Sequence, residues 1–355
     1  MTIKDFKSTH FSIDLKTQFQ SSKQTLNKRS GFIISMTDEL GNIGIGECSP
    51  LPQFSKESIE LASNNLNELK LRLSKVQVMP DLLAISNQFS AYDLTSSVHF
   101  AFEQAILSIL ISRNRNTNLL TENFGEVQPQ INVNAVVGFD STENILHKIS
   151  EKIDSGYSTI KVKVGRPNFD DDFELIKQIR LKFGNSIFIR LDASGKWNID
   201  TAKQYLNLLS EFNIQYIEEP CSGFSSLQNV ANNSRIPIAV DESIRSITNA
   251  VSVINDSKIE FIVLKPMILG GIVSTLQLIK TAESKHKKII ISSSFESAVG
   301  KSALVLLAAS SKHNLAHGLS TSELFVNDVC EDHFPVLNGK IKFDEQNYPP
   351  KFLLY

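Results

Sequence analysis

Cysteine is scarce in this chain. Three stand in 355 residues (Cys48, Cys221 and Cys330), widely spaced and with no CxxC pair. That argues against a disulfide framework and a structural zinc site, and fits a reducing compartment. Charge of one sign is also missing. The 36 Lys and Arg against 38 Asp and Glu leave a formal charge of −2, so nothing draws the chain to nucleic acid or another polyanion. Long apolar runs are absent too. The longest, Ala303–Ala309, falls far short of the roughly 20 residues that a membrane-spanning helix needs. The opening MTIKDFKSTHFSIDLK lacks the apolar core of a signal peptide, so the expected location is cytoplasmic, away from any membrane. No G-x-G-x-x-G follows a strand and opens a helix, which weakens a doubly wound nucleotide-binding sheet as an alternative. No interface pattern is legible, so monomer and homo-oligomer both stay open.

What the chain does have is a series of short apolar runs that each end in charge. TIKVKVG carries Lys161 and Lys163, IFIRLDA ends at Asp192, IQYIEEP at Glu218 and Glu219, IPIAVDES at Asp241 and Glu242, and FIVLKP at Lys265. The steps from Lys163 to Asp192, Glu218, Asp241 and Lys265 are 29, 26, 23 and 24 residues, the length of one strand–helix unit. Runs of Ile, Val, Phe and Leu read as buried parallel strands. In a (β/α)8 barrel their C-terminal ends converge on one face. Scattered surface charge does not give that regularity.

Three carboxylates on consecutive strands repel one another unless a cation offsets them. An all-oxygen set without Cys or His favours Mg²⁺, with Mn²⁺ possible. Asp192, Glu218 and Asp241 are therefore the expected metal ligands. Lys161 and Lys163 lie two apart on one strand and point the same way. The expectation is that each depresses the other's pKa, leaving a neutral amine as general base. Lys265, opposite, can serve as acid, second base or cation beside a ring. Such a layout suits removing a proton next to the carboxylate of a small-molecule substrate.

Taken in order, residues 1–125 read as an α+β capping domain, 126–321 as the barrel, and 322–355 as a tail that packs back on the first domain. Phe11, Ile13 and Leu15 alternate as in a strand, and Gly31–Met36 returns through Ile43 and Ile45 as a hairpin around a turn near 38–42. Thr17–Ser30 is polar and reads as a long loop over the site. Ser55 is the expected cap of a helix running to Leu73, residues 80–95 read as irregular, and a second helix starts near Ser96. Asn114–Glu126 is the expected linker. The barrel begins at INVNAVVG and ends at LAHG (315–318), giving eight strands and seven helices, near 141–155, 170–182, 199–211, 224–233, 247–256, 271–286 and 297–312. NGKIKF (338–343) reads as a hairpin.

TIKVKVG, RLDAS, IEEPC, VDES, VLKP and SSSFES resemble the motif series of the enolase superfamily, in its muconate-lactonizing subgroup. GECSPLPQFS, IEEPC and ISSSFESAVG together are similar to the o-succinylbenzoate synthase family of menaquinone biosynthesis. The likeness spans about residues 43–324. It implies a modified (β/α)7β TIM barrel with an α+β cap, and a Mg²⁺-dependent lyase. It implies Lys163 as base with Lys161 assisting it, and Asp192, Glu218 and Asp241 on the metal. Lys265 lies over the developing ring, and Ser292 and Ser293 hold the succinyl end. The turn carrying Ser49, Pro50, Leu51 and Phe54 closes over the substrate, with the 17–30 loop. The chain departs from the family at two places: Ser194 stands where Asn is usual, and Gln53 where Gly is usual. A racemase or dipeptide epimerase of the same subgroup is the nearest rival, using Lys163 and Lys265 as two bases. A barrel that binds without catalysis is more remote, because all six charged residues are present.

Overall fold

The structure is a computed structural model describing residues 1–20, 25–74, 77–79, 81–90, 92–113, 119–256 and 258–352. The N-terminal part opens with three antiparallel strands, β1 (Ile3–Gln20), β2 (Thr25–Asp38) and β3 (Ile43–Cys48). Against them pack α1 (Ile59–Leu73), α2 (Leu82–Ser90) and α3 (Ser96–Arg113), followed by the short α4 (Leu119–Phe124). α3 is buried nearly all round. It lies flush on β3 because β3 carries glycines: a Cβ at Gly44 would stand 1.9 Å from the Ala105 carbonyl oxygen, and one at Gly46 2.0 Å from that of Ala101.

Four expectations change here. The polar stretch Thr17–Ser30 is mostly hairpin, since β1 runs on to Gln20 and β2 begins at Thr25, with Gln20 opposite Thr25. An antiparallel ribbon can turn one face to water, so polar residues do not end it. The tip of that stretch lies outside the described residues. Residues 82–90 form a helix, because Leu82, Ile85 and Phe89 share one buried face. The cap of α1 is Ser58, whose hydroxyl accepts from Leu61 N, while Ser55 Oγ accepts from Leu51 N and closes the preceding turn. Of the expected linker, 119–124 is helical and 114–118 lies outside the described residues.

The second part begins with β4 (Gln130–Asn132) and β5 (Ala135–Val137) and continues through β6 (Thr159–Lys163), β7 (Phe188–Asp192), β8 (Ile214–Glu218), β9 (Ile238–Val240), β10 (Phe261–Leu264) and β11 (Lys288–Ile291). From β5 to β11 these make one seven-stranded sheet in sequential order, paired in parallel. Between them run α5 (Thr142–Asp154), α6 (Phe169–Phe183), α7 (Ile199–Leu209), α8 (Phe224–Ala231), α9 (Ile247–Asn255), the one-turn α10 (Pro266–Leu269) and α11 (Ile272–Ser284); α12 (Ala298–Ala309) follows β11. Helix starts fall near their expected places because side chains mark them. Ser141, Asn168, Asn198, Ser246 and Ser297 each accept a hydrogen bond from a backbone N–H of the first turn.

The expected eighth strand, 315–318, is reduced to two bridges, His317 with Val133 and Gly318 with Ser292. They touch both edges of the curled sheet, as in a TIM-type barrel. The expected first strand splits for a related reason. Asn134 N donates to His317 O and His317 N to Asn132 O, while β4 turns away to pair with β12 (Lys340–Lys342). The tail's turn is as expected, at Asn338–Gly339, but its strand joins the barrel's entry. Phe325 and Cys330 pack with Phe11, Ile13 and Leu15 of β1. Among the described residues no helix is long and apolar enough to cross a membrane. The three cysteines are free and buried, and burial pushes the Cys48 thiol up to about 12.

His317 is fully buried, and its Nδ1 accepts from Ile291 N at 3.0 Å, so the closing segment needs a neutral imidazole. Burial, then His313 and Arg190 nearby, hold its pKa well below the ordinary value. The unfolded chain therefore takes up a proton below about pH 6.5 that the folded chain refuses. Stability is expected to fall as pH drops from about 6.5 toward 5, and the slope in urea-unfolding series should lessen in His317→Gln.

Candidate active site and metal centre

Alternation along the strands builds the site. Lys163, Asp192 and Glu218 stand side by side in register on β6, β7 and β8, and Lys161, Arg190 and Tyr216 stand side by side one layer deeper. The same period puts Asp241 above Ala239, Lys265 above Val263 and Ser292 above Ile290. Tyr216, Ala239, Phe261, Val263 and Ile290 form the apolar plug beneath. Arg190 lies over the Tyr216 ring at 4.7 Å and donates to Ala316 O at 2.7 Å.

The charged layer is tightly paired. Lys161 Nζ is 2.9 Å from Asp192 and 2.6 Å from Glu218. Lys163 Nζ is 2.8 Å from Asp192 and donates to Ser194 Oγ at 2.6 Å, and Ser194 Oγ donates back to Asp192 at 2.9 Å. Lys265 binds both oxygens of Asp241. Burial alone would pull Lys161 down, but Asp192, Glu218 and Asp241 outweigh it and hold it well above its ordinary value. This overturns the expectation of a depressed Lys161: carboxylates, not the neighbouring lysine, dominate its surroundings. Burial raises Asp192, yet Lys161 and Lys163 bring it well below the usual carboxylate range.

The remaining acids are crowded. Burial and the repulsion of Asp192, Asp241 and Glu242 push Glu218 well above its usual range, despite Lys161. Burial and Glu242 push Glu219 up to about 8, and burial with Asp241 and Asp192 pushes Glu242 up to about 6. Glu218, Asp241 and Glu242 each offer a carboxylate oxygen, and these lie within 4.8 Å of one another. Among the described residues, Glu242 Oε2 is buried without a hydrogen-bond partner. An all-oxygen cluster held in such repulsion fits a hard divalent cation. Asp192, expected among the metal ligands, is engaged by the two lysines, and Glu242, which sequence reasoning left out, stands within reach of Glu218 and Asp241. Adjacency to Asp241 was its only signal.

The other expected residues divide. Phe54 is beside the site, its ring centroid 5.9 Å from Lys265 Nζ, and Arg245 donates to the Gln53 and Phe54 carbonyls at 3.3 and 3.2 Å. Ser49 and Pro50 are buried, and the Ser49 hydroxyl donates to Glu47 at 2.6 Å. Leu51 packs with Phe295 and Phe325. Ser292 shares the inward face, whereas Ser293 Oγ donates to Glu296 and accepts from Phe295 N and Thr321 Oγ1. Arg29, inside the presumed loop, was not expected at all, and it is fully buried behind the Ser49–Phe54 turn.

These features define a carboxylate–lysine site at the strand ends of a curled parallel sheet. Residues 144–347 match the family described as Enolase C-terminal domain-like, and residues 3–106 match MenC, N-terminal domain. The chain belongs to the enolase superfamily. It is 33% identical to an o-succinylbenzoate synthase of Thermobifida fusca over 216 residues, 60% of this chain and 66% of that one. It is 28% identical to a D-Ala-D/L-Ala epimerase of Cytophaga hutchinsonii over 326 residues, 89% and 86% of the two chains. A solved dipeptide epimerase from Cytophaga hutchinsonii, complexed with Mg and the dipeptide D-Ala-L-Val, superposes with a TM-score of 0.86 at 27% identity, covering 96% of this chain and 93% of that one.

Both departures from the family pattern fall at left-handed backbone positions: Gln53 has φ 61° and Ser194 φ 48°. Gly and Asn are the residues that tolerate this region best. Gln53 is exposed, so Gln53→Gly is expected to raise stability by about 1 kcal/mol, read as a higher urea midpoint at unchanged m-value.

Proposed function

We propose that this enolase-superfamily chain is an o-succinylbenzoate synthase, removing water from 2-succinyl-6-hydroxy-2,4-cyclohexadiene-1-carboxylate to give 2-succinylbenzoate. The observation that carries this reading over an epimerase is what the last strand ends present. A dipeptide's ammonium calls for a carboxylate there. Glu296 instead accepts from Ser293 Oγ and Ser294 N, and Glu323 is bound by Lys152 and Tyr157. The inward Ser292 offers a hydroxyl, which suits an oxygen of a succinyl group, and Ser293 beside it is held by Glu296. The match of residues 3–106 to the MenC N-terminal family supports the same choice.

Glu218, Asp241 and Glu242, with Asp192 beside them, are the residues to hold Mg²⁺ or Mn²⁺. Bound there, the cation supplies positive charge for the substrate carboxylate as it gains negative charge. Lys163 takes the proton from the ring carbon bearing that carboxylate. Lys161, fixed between Asp192 and Glu218, keeps its charge beside the base. Lys265 lies across the row of acids beside Phe54, where its ammonium meets the ring face. Lys163 then returns the proton to the departing hydroxyl, water leaves, and the ring becomes aromatic. The capping turn at 49–54 and the cap domain behind it exclude bulk water.

Two observations favour the epimerase reading: Lys163 and Lys265 flank the acids from opposite ends, as two bases require, and epimerases stand among the relatives and solved structures that this chain resembles. Ultraviolet assay on the cyclohexadiene carboxylate with Mg²⁺ separates the two. Turnover is expected in the native chain, with loss on EDTA treatment and a fall of about 10²–10⁴-fold in kcat for Lys163→Ala. Epimerisation of dipeptides without dehydration would overturn the assignment.

A further inference from the structure

The Arg29 guanidinium is 1% exposed and every one of its nitrogens donates to a backbone carbonyl. Nε donates to Phe295 O at 3.0 Å, Nη1 to Pro50 O at 2.7 Å and to Ser30 O at 3.3 Å, and Nη2 to Ser49 O. It therefore ties together two turns that are far apart in sequence and both border the site. One carries Phe54 beside Lys265, and the other carries Ser293.

Two acids lie close, Glu47 and Glu296, and their charges favour the ionised guanidinium that burial opposes. Among the described residues neither forms an ion pair with it; each acid accepts hydrogen bonds from these turns. Glu47 accepts from Ser49 Oγ, Ser297 N and Gly300 N, and Glu296 from Ser293 Oγ and Ser294 N. A buried cation that directs its whole fork at loop carbonyls shapes those loops, and a Lys cannot reproduce the fork. The turns need holding: Gln53 on one (φ 61°) and Phe295 on the other (φ 64°) are non-glycine residues in the left-handed region.

We propose that Arg29 is a positioning residue that latches the 49–54 turn to the 293–297 turn as one rigid wall, setting Phe54 and Ser293 before substrate arrives. The substrate part of this inference rests on the function proposed above, whereas the latch does not.

The test uses full-length Arg29→Gln and Arg29→Lys with Mg²⁺, and Arg29→Lys suffices where the glutamine variant fails to fold. Amide hydrogen exchange in 49–54 and 293–297 is expected to quicken together by about tenfold or more, with β6 and β7 unchanged. KM should rise by about fivefold or more while kcat stays within about threefold, the lysine variant lying between. Faster exchange in neither turn, in only one, or across the whole chain would overturn the latch. Faster exchange in both turns at unchanged KM would overturn the positioning role. Exchange needs no substrate, so a native chain inactive on the cyclohexadiene carboxylate would remove the proposed function while the exchange result still decided the latch.

Discussion

Charge confined to the mouth of the sheet governs the rest of the molecule. Three lysines, Lys161, Lys163 and Lys265, meet five carboxylates, Asp192, Glu218, Glu219, Asp241 and Glu242, above an apolar plug that admits little water. Taking each ion out of water costs several kcal/mol, recovered only through close pairing and hydrogen bonds. The lysines neutralise part of the set and the surplus is negative; burial first, and that surplus after it, drive Glu218, Glu219 and Glu242 upward. A divalent cation would relieve that surplus, and the apolar strands below hold the charges in place.

The cap domain joins this arrangement through polar groups rather than an apolar face alone. Glu103 of α3 accepts from Ile272 and Val273 N–H at 2.6 and 3.0 Å, capping α11, whose own N-cap is Gly271. Glu47 of β3 does the same for α12, through Ser297 N and Gly300 N. Each is a carboxylate placed where a helix N-terminus carries partial positive charge. Arg29 completes the pattern from β2, reaching carbonyls where the glutamates reach amides. Burying such groups is tolerable only in one relative placement of cap and barrel, so the same bonds that satisfy them also fix the 49–54 turn beside Lys265.

Much of this was legible from sequence, for definite reasons. Strand ends announced themselves because a charge after an apolar run recurs with the strand–helix period, and helix starts because Ser and Asn caps act locally. What escaped depended on partners distant in the chain. The 17–30 stretch looked like loop because its polarity hid the pairing of two strands, and Arg29 sat unnoticed within it. The first barrel strand looked continuous because nothing local says that β4 will leave for the tail. Lys161 looked depressed because its sequence neighbour is Lys163, whereas its spatial neighbours are carboxylates from β7 and β8. Glu242 was hidden by Asp241, whose strand position obeyed the period.

Ser194 and Gln53 show how two similar departures differ in consequence. Both put a side chain where the backbone is left-handed, at a cost of about 1–2 kcal/mol. Gln53 is exposed, and its carbonyl accepts from Arg245. Ser194 is different. Its hydroxyl accepts from Lys163 at 2.6 Å and donates to Asp192 at 2.9 Å, while its N–H donates to Asp192 at 3.1 Å. A short rotatable hydroxyl can take a proton from one neighbour and give one to the other, coupling the proposed base to an acid beside the carboxylate cluster. The strain at 53 is therefore free to be relieved, whereas the strain at 194 is held in place by the hydrogen bonds it makes possible.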